Sequence, residues 1–229
     1  SVVAGCSFRR NGIVGGEAYS DFEHATLTDC TFEDNGTVGG GNFGFANATL
    51  ARCTFARNGT VSSDYVGFYS SALTDCSFVE NERIGGAIAF HRSPLTRCTF
   101  VNNGTIGGTY SFEYADVRRS LIASSSTIGA LRGGSFVENT VVRNDSGITV
   151  VEPPGEFRGN TLCDNGPGDV VSATLADIHA EENWWCTDDP TLIGERIHDV
   201  FDGDLFAGQV FFEPFLTAPS PDAPPDPGP

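Results

Sequence analysis

Apolar and polar positions recur along this chain at a step of 22 to 24 residues. Five segments begin with Cys, continue with Ser or Thr and then Phe, and carry Asn five residues after the Cys. The members of these two columns are Cys6, Cys30, Cys53, Cys76 and Cys98, and Asn11, Asn35, Asn58, Asn81 and Asn103. A weaker form of the pattern continues through Ser120, Asn139, Asn160 and Asn183, which gives nine repeat units.

Each unit consists of short β-rich segments interrupted by Asn-Gly, Gly-Gly or Asp, and no unit contains a ten-residue stretch with helical period. Three short strands and three turns fill a step of about 22 residues, which is the length of one coil of a parallel β-solenoid. We therefore predict an all-β fold, a parallel β-helix of about nine coils with inward ladders of like residues. A leucine-rich repeat lacks support because its L-x-x-L-x-L signature is missing, and a propeller blade needs about twice the length.

Two motifs in these units resemble those of a known family. Phe78-Val79-Glu80-Asn81, followed by Gly85-Gly86-Ala87-Ile88, resembles the repeat of polymorphic outer-membrane proteins. Asn183-Trp184-Trp185, followed by Asp188-Asp189-Pro190, resembles the ending of many right-handed parallel β-helices of the pectate-lyase-like superfamily, with Cys186 in place of the usual Gly. The resemblance covers nearly the whole chain and implies right-handed coils closed by a C-terminal cap. It leaves the activity open, because enzymes, adhesins and structural proteins share such repeats.

The pattern divides the chain into three parts. We predict β-helix coils over residues 1–186, a C-terminal cap over 187–216 and a Pro-rich tail or linker over 217–229. Residues 1–5 have none of the features of a signal peptide. The first coil begins without a polar cap, so we expect Val2 and Val3 to form an open strand edge through which copies self-associate.

The charge balance excludes several classes of partner. The chain carries 30 acidic against 13 basic residues, for a net charge of −17, and every basic residue is Arg. Such a surface repels phosphate backbones, so we expect no nucleic-acid partner. The sequence has no apolar run long enough to cross a bilayer, so we expect no direct membrane insertion.

The seven cysteines fall into two groups. The five in the repeat column are expected to be buried free thiols that fill the core, because their regular spacing is not a zinc-binding pattern. Cys163 and Cys186 each lie three residues after an Asn of the ladder, so they are neighbours on successive coils and candidates for a disulfide. A disulfide indicates an oxidising compartment, and we expect an extracellular or cell-surface location.

Candidate catalytic residues do not form a recognisable set. Acidic and basic residues alternate along the column before the Cys/Asn ladder, which gives Arg52 and Arg97 a structural role in fixing the register. Asp188-Asp189 belongs to the C-terminal motif, and Asp202-Gly203-Asp204 lacks the remaining spacing of a calcium loop. We assign no catalytic, cofactor-binding or metal-binding residue. Calcium is the one cofactor that a polysaccharide lyase or epimerase of this fold would require.

These observations favour a non-catalytic extracellular β-helix module, either structural and surface-displayed or adhesive, and able to self-assemble. A carbohydrate-binding β-helix and a calcium-assisted polysaccharide lyase or epimerase remain the alternatives. Three or more outward carboxylates beside an unpaired basic residue would favour the enzyme. A row of exposed aromatic residues on one face would favour a glycan partner.

Overall fold

The computed structural model describes residues 1–16, 21–62, 64–203 and 207–228. Three parallel sheets form the walls of a solenoid, and each chain segment pairs with the segment one repeat before and one repeat after it. All-β architecture and parallel coils are therefore as the repeat pattern predicts.

Sheets A and B each contain eight strands. The strands of sheet A are, in order, Val2–Ala4, Thr26–Thr28, Thr49–Ala51, Ala72–Thr74, Leu95–Thr96, Asp116–Arg118, Ser135–Val137 and Glu156–Arg158. Those of sheet B are Ser7–Arg9, Thr31–Glu33, Thr54–Ala56, Ser77–Val79, Thr99–Val101, Leu121–Ala123, Thr140–Val142 and Thr161–Cys163. We number coils one to eight by these sheet B strands.

Sheet C has twelve strands, because several coils cross it with two short strands instead of one. Its strands are Ile13–Val14, Thr37–Val38, Phe43–Ala46, Thr60–Val61, Val66–Tyr69, Arg83–Ile84, Ile88–His91, Thr105–Glu113, Thr127–Arg132, Ile148–Glu152, Val170–Ser172 and Ile197–His198. A separate pair, Ile178–His179 with Val210–Phe211, lies at the C-terminal end.

Eight coils are complete, one fewer than the nine repeat units of the sequence. The ninth unit begins at Asn183 and, among the described residues, forms no sheet A or sheet B strand: it pairs with coil eight through an isolated bridge between Thr161 and Trp184, and in sheet C through Ile197–His198 against Val170–Ser172. The chain then leaves the repeat for the helix Pro190–Gly194, which Asp189 caps by accepting a hydrogen bond from the Thr191 amide at 2.9 Å. A 3₁₀ helix, Val200–Asp202, follows. No helix in the described part of the chain is long and apolar enough to cross a membrane.

The core consists of ladders of like side chains, because the register places each inward residue over its counterpart. Successive rings of Phe32, Phe55, Phe78 and Phe100 are stacked with centroids 4.8 Å apart, and all four are fully buried. A second Phe column meets the first edge to face, as between Phe45 and Phe55 at 5.9 Å. The stacked and edge-to-face arrangements are the two that aromatic quadrupoles favour.

Asparagine ladders hold the turns between sheets B and C. The Asn58 side-chain amide donates to the Phe32 carbonyl at 3.0 Å and to Asn81 Oδ1 at 2.9 Å, and the Asn58 backbone amide donates to that same Oδ1. The residue before each ladder Asn is left-handed, as with Arg57 at φ 52° and Glu80 at φ 54°. A left-handed residue with a side chain costs about 1–2 kcal/mol, and the three hydrogen bonds per asparagine offset this strain.

Candidate ligand-binding strip on sheet C

The outer side of sheet C carries a band of aromatic and charged side chains across coils three to seven. The register places Tyr69, His91, Glu113, Arg132 and Glu152 in one row, one residue per coil. Three more tyrosines flank this row, and Tyr19, the remaining tyrosine, lies outside the described residues. We call this surface the strip, and its members are Tyr65, Tyr69, His91, Tyr110, Glu113, Tyr114, Arg132 and Glu152.

Aromatic contacts give the strip a fixed shape. Tyr69 stacks on His91 with ring centroids 5.2 Å apart and an interplanar angle of 8°. Phe43 contacts Tyr69 edge to face at 5.2 Å and Tyr65 at 6.3 Å. Tyr65 is 56% exposed, so its ring is available to a ligand while its neighbours hold the surface beneath it. The arrangement is an aromatic platform on a flat sheet rather than a cavity.

A hydrogen-bonded chain of charges continues the row. His91 Nδ1 lies 2.6 Å from Glu113 Oε2, and Arg132 donates to Glu113 Oε1 at 3.0 Å and to Glu152 Oε2 at 3.2 Å. Glu113 is only 6% exposed, and its two oxygens are both bonded. Each of these side chains therefore holds the next in position through a hydrogen bond.

Tyr114 joins the aromatic and charged parts of the strip. Its hydroxyl donates to Glu152 Oε2 at 3.1 Å, and the Arg132 guanidinium lies over its ring, 5.5 Å from the centroid. Desolvation, and then the hydrogen bond to Glu152, raise the pKa of Tyr114, so its hydroxyl stays protonated as a donor. The hydrogen bond to Glu152 also raises the pKa of Arg132, which keeps its charge. Together these groups offer a ligand polar atoms beside aromatic faces.

The strip contains two carboxylates, and Arg132 binds both of them. The strip therefore lacks the three outward carboxylates beside an unpaired basic residue that would favour a polysaccharide lyase or epimerase. Among the described residues, no group of three or more His, Cys, Asp or Glu side chains is arranged to hold a metal ion. Asp202 bonds the Asp199 amide at 3.0 Å in the cap, and Asp204, from the calcium candidate, lies outside the described residues.

The remaining residues singled out from the sequence lie away from the strip. Cys163 and Cys186 are joined by a disulfide with Cα atoms 5.7 Å apart. The other five cysteines are free, and four of them are buried whereas Cys6 is partly exposed. Val2 is 79% exposed, and Val3 is partly buried against the core. The strip itself went unnoticed at the sequence level, although Tyr69, His91 and Glu113 follow one another at the repeat step of 22 residues.

A stack of parallel coils with ladders of like residues defines a parallel β-helix protein. The family model for the right handed beta helix region matches residues 1–128, more than half of the chain, and the chain belongs to this family. No curated protein sequence matches the chain. Membership of this family establishes the architecture but not a ligand or a reaction, which depend on the surface residues of this molecule.

Proposed function

We propose that this protein is a non-catalytic, adhesive β-helix module of the cell exterior that binds a carbohydrate through the strip. The observation that supports the proposal is the strip on sheet C, with Tyr65 and Tyr69 at one end and Tyr114 beside hydrogen-bonding groups at the other. Aromatic rings stack on the C–H faces of sugar rings, and carboxylate, imidazole and guanidinium groups hydrogen-bond to sugar hydroxyls. The strip extends across five coils on the outside of a sheet, and this shape suits an extended chain of sugar units better than a small isolated molecule.

The location outside the cell is part of the same proposal. A disulfide between Cys163 and Cys186 persists in an oxidising environment, and burial protects most of the free thiols from reaction there. A net charge of −17 keeps such a module soluble and suppresses non-specific association.

Affinity electrophoresis tests the carbohydrate proposal with soluble polysaccharides of neutral and acidic type cast into the gel. We expect at least one polysaccharide to retard the native protein, and we expect Tyr65→Ala/Tyr69→Ala to remove the retardation. Phe201→Ala is the matched control, because Phe201 is 78% exposed but belongs to the cap rather than the strip. Equal mobility of the native protein in all gels, or equal retardation of both variants, would contradict the proposal.

The lyase alternative makes a separate prediction. With calcium and an acidic polysaccharide, a lyase generates unsaturated ends that absorb in the ultraviolet. We expect no increase in absorbance for this protein. A calcium-dependent increase would contradict the non-catalytic proposal and would show that the protein is a lyase.

Self-association through the first coil is a further proposal. Val2 and Ile13, at 79% and 53% exposed, lie on strands whose outer edge meets no other strand among the described residues. An open edge of this kind can pair with another β-edge, and we propose a second copy as its partner. The test is Val2→Asp/Val3→Asp, which should lower the mass found by light scattering at high concentration while circular dichroism stays unchanged. A native protein that is monomeric under the same conditions would refute it.

A further inference from the structure

The Pro-rich tail does not project from the body of the molecule. Arg119 Nη2 lies 3.4 Å from Asp222 Oδ1, and the Thr140 hydroxyl donates to the Pro224 carbonyl. Arg143 contacts the tail at two points, since its guanidinium donates to Asp226 Oδ2 at 2.7 Å and to the Gly228 carbonyl at 2.9 Å. Residues 222–228 therefore cross the outer face of sheet B over coils six and seven.

Burial along sheet B marks the same place. One outward row is only partly buried in coils two to five, at Thr31, Thr54, Ser77 and Thr99. In the next two coils the same row is buried, with Leu121 at 9% exposure and Thr140 at 0%. Together with Ala123 and Val142 of the neighbouring row, Leu121 belongs to an apolar cluster that is separate from the main core. The row stays buried in coil eight, at Thr161 with 5% exposure, while the contacts with the tail are made by coils six and seven. We call the face of sheet B that the tail covers in these two coils the groove.

Charge gives the groove its selectivity. The hydrogen bond from Arg143 lowers the pKa of Asp226, and this arginine is mostly buried, with an Nε atom that has no acceptor. A guanidinium forms its strongest hydrogen bonds with a carboxylate, so the site favours an acidic residue at this position. With 13 arginines against 30 acidic residues, two arginines that face one short segment are a distinctive feature of this surface.

The groove extends beyond the tail that occupies it. A pocket of about 310 Å³, lined by Arg97, Thr99, Arg119, Asp222 and Pro224 among others, lies where the tail reaches coil five. The contacts above come from residues 222–228 alone, and residues 217–221 connect this segment to the cap. A groove that recognises so short a segment recognises it equally from any copy of the chain.

We propose that the outer face of sheet B over coils six and seven is a binding site for an acidic Pro-rich segment, and that the tail of a second copy of this chain is its partner. Proline restricts the free segment to extended conformations, so little entropy is lost when it binds. At low concentration the chain's own tail occupies the groove, because its tether gives it an effective concentration in the range of about millimolar. Exchange of tails links two copies when the protein is concentrated or when the intramolecular contact is broken.

Reciprocal charge variants of the full-length protein provide the test. In Asp226→Arg the tail carries the wrong charge for its own groove, and in Arg143→Asp the groove carries the wrong charge for its own tail. We expect each variant to be monomeric alone. In an equimolar mixture, each tail meets a groove of opposite charge only in the other variant, so light scattering and native mass spectrometry should detect a heterodimer.

Two controls keep the result interpretable. Asp188→Arg, which alters net charge by the same amount at an exposed cap position, keeps its own tail in its own groove and should form less dimer with Arg143→Asp than Asp226→Arg does. Arg119→Asp with Asp222→Arg is a second reciprocal pair at a more exposed contact, for use if Arg143→Asp does not fold. A mixture of two folded partners that stays monomeric, or a dimer that Asp188→Arg forms equally well, would overturn the proposal.

Discussion

Coils two to five and coils six to eight share one backbone register but stabilise it by different chemistry. The early coils stack Phe on Phe within sheet B and place Cys in the turn between sheets A and B. The later coils have Ile122, Val141 and Leu162 at the Phe position. At the turn they have Ser120, Asn139 and Asn160, and the asparagine side chains bond from coil to coil and on to the ninth unit, as from Asn160 to Asn183 at 2.9 Å.

The difference shows which property of a repeat position is required. A coil accepts a thiol or an amide at the turn, and an aromatic or an aliphatic residue in the core, provided that the neighbouring coil offers a matching surface. Apolar burial dominates where the Phe ladder runs, whereas amide hydrogen bonds and the Cys163–Cys186 disulfide contribute more at the other end. Four variants test these contributions and a surface ion pair: Phe55→Ala with Ile122→Val for comparison, removal of the disulfide, and Arg97→Ala, in order of decreasing expected effect.

Phe55→Ala should lower the free energy of unfolding by about 3–5 kcal/mol, because the ring stacks between Phe32 and Phe78 and leaves a cavity when removed. Chemical denaturation measures this change. Ile122→Val, at the equivalent position of coil six, should cost about 0.5–1.5 kcal/mol. A loss below about 1 kcal/mol for Phe55→Ala would show that the aromatic column does not carry the early coils.

Removal of the disulfide should have the next largest effect, and at the opposite end of the molecule. Cys163→Ser/Cys186→Ser opens a loop with a sequence separation of 23, and we expect a loss of about 2–4 kcal/mol. Non-reducing peptide mapping of the native protein should recover Cys163 linked to Cys186, with Cys30, Cys53 and Cys76 alkylated only after unfolding. Cross-links between the ladder cysteines would contradict both assignments.

Arg97→Ala should have the smallest effect. Arg97 donates to both oxygens of Asp75, at 2.7 and 2.9 Å, but the pair lies at the surface, where solvent screens it. The hydrogen bond lowers the pKa of Asp75, so the pair stabilises the fold at neutral pH and this contribution is lost as the pH falls through that lowered pKa. The mutant and native denaturation midpoints should converge in high salt and at acidic pH; a difference independent of both would exclude an electrostatic origin.

The architecture could be predicted because the same pattern of residue types recurs in many successive units. One Phe column suggests a buried face, but Cys, Phe and Asn columns aligned at a nearly constant step exclude helices from the repeats and predict both register and ladders. Asn183 led to the prediction of a ninth coil, but this coil is incomplete because the motif that follows Asn183 directs the chain into the cap. The left-handed residues were equally hidden, since Arg57 and Glu80 are types that rarely adopt this conformation and do so here under the constraint of the asparagine ladder.

The strip illustrates a different limit. Its row contains Tyr69, His91, Glu113 and Arg132, so successive coils present unlike residues at one position and no column of identical letters marks it. Their significance comes from contacts across the sheet, which spacing alone does not reveal. The tail shows the same limit, because its composition predicts an extended segment but not the arginines that it contacts.

The hydrogen bonds between coils run along the axis of the solenoid, and this direction determines how the molecule responds to mechanical load. A force along the axis that pulls on the C-terminal end opens these bonds one coil at a time rather than shearing many together. The Cys163–Cys186 disulfide ties the last complete coil to the segment beyond it. Peeling that begins in the cap therefore reaches Cys186, and the force then passes through the disulfide to Cys163. The residues between the two cysteines add no length until the covalent bond is reduced.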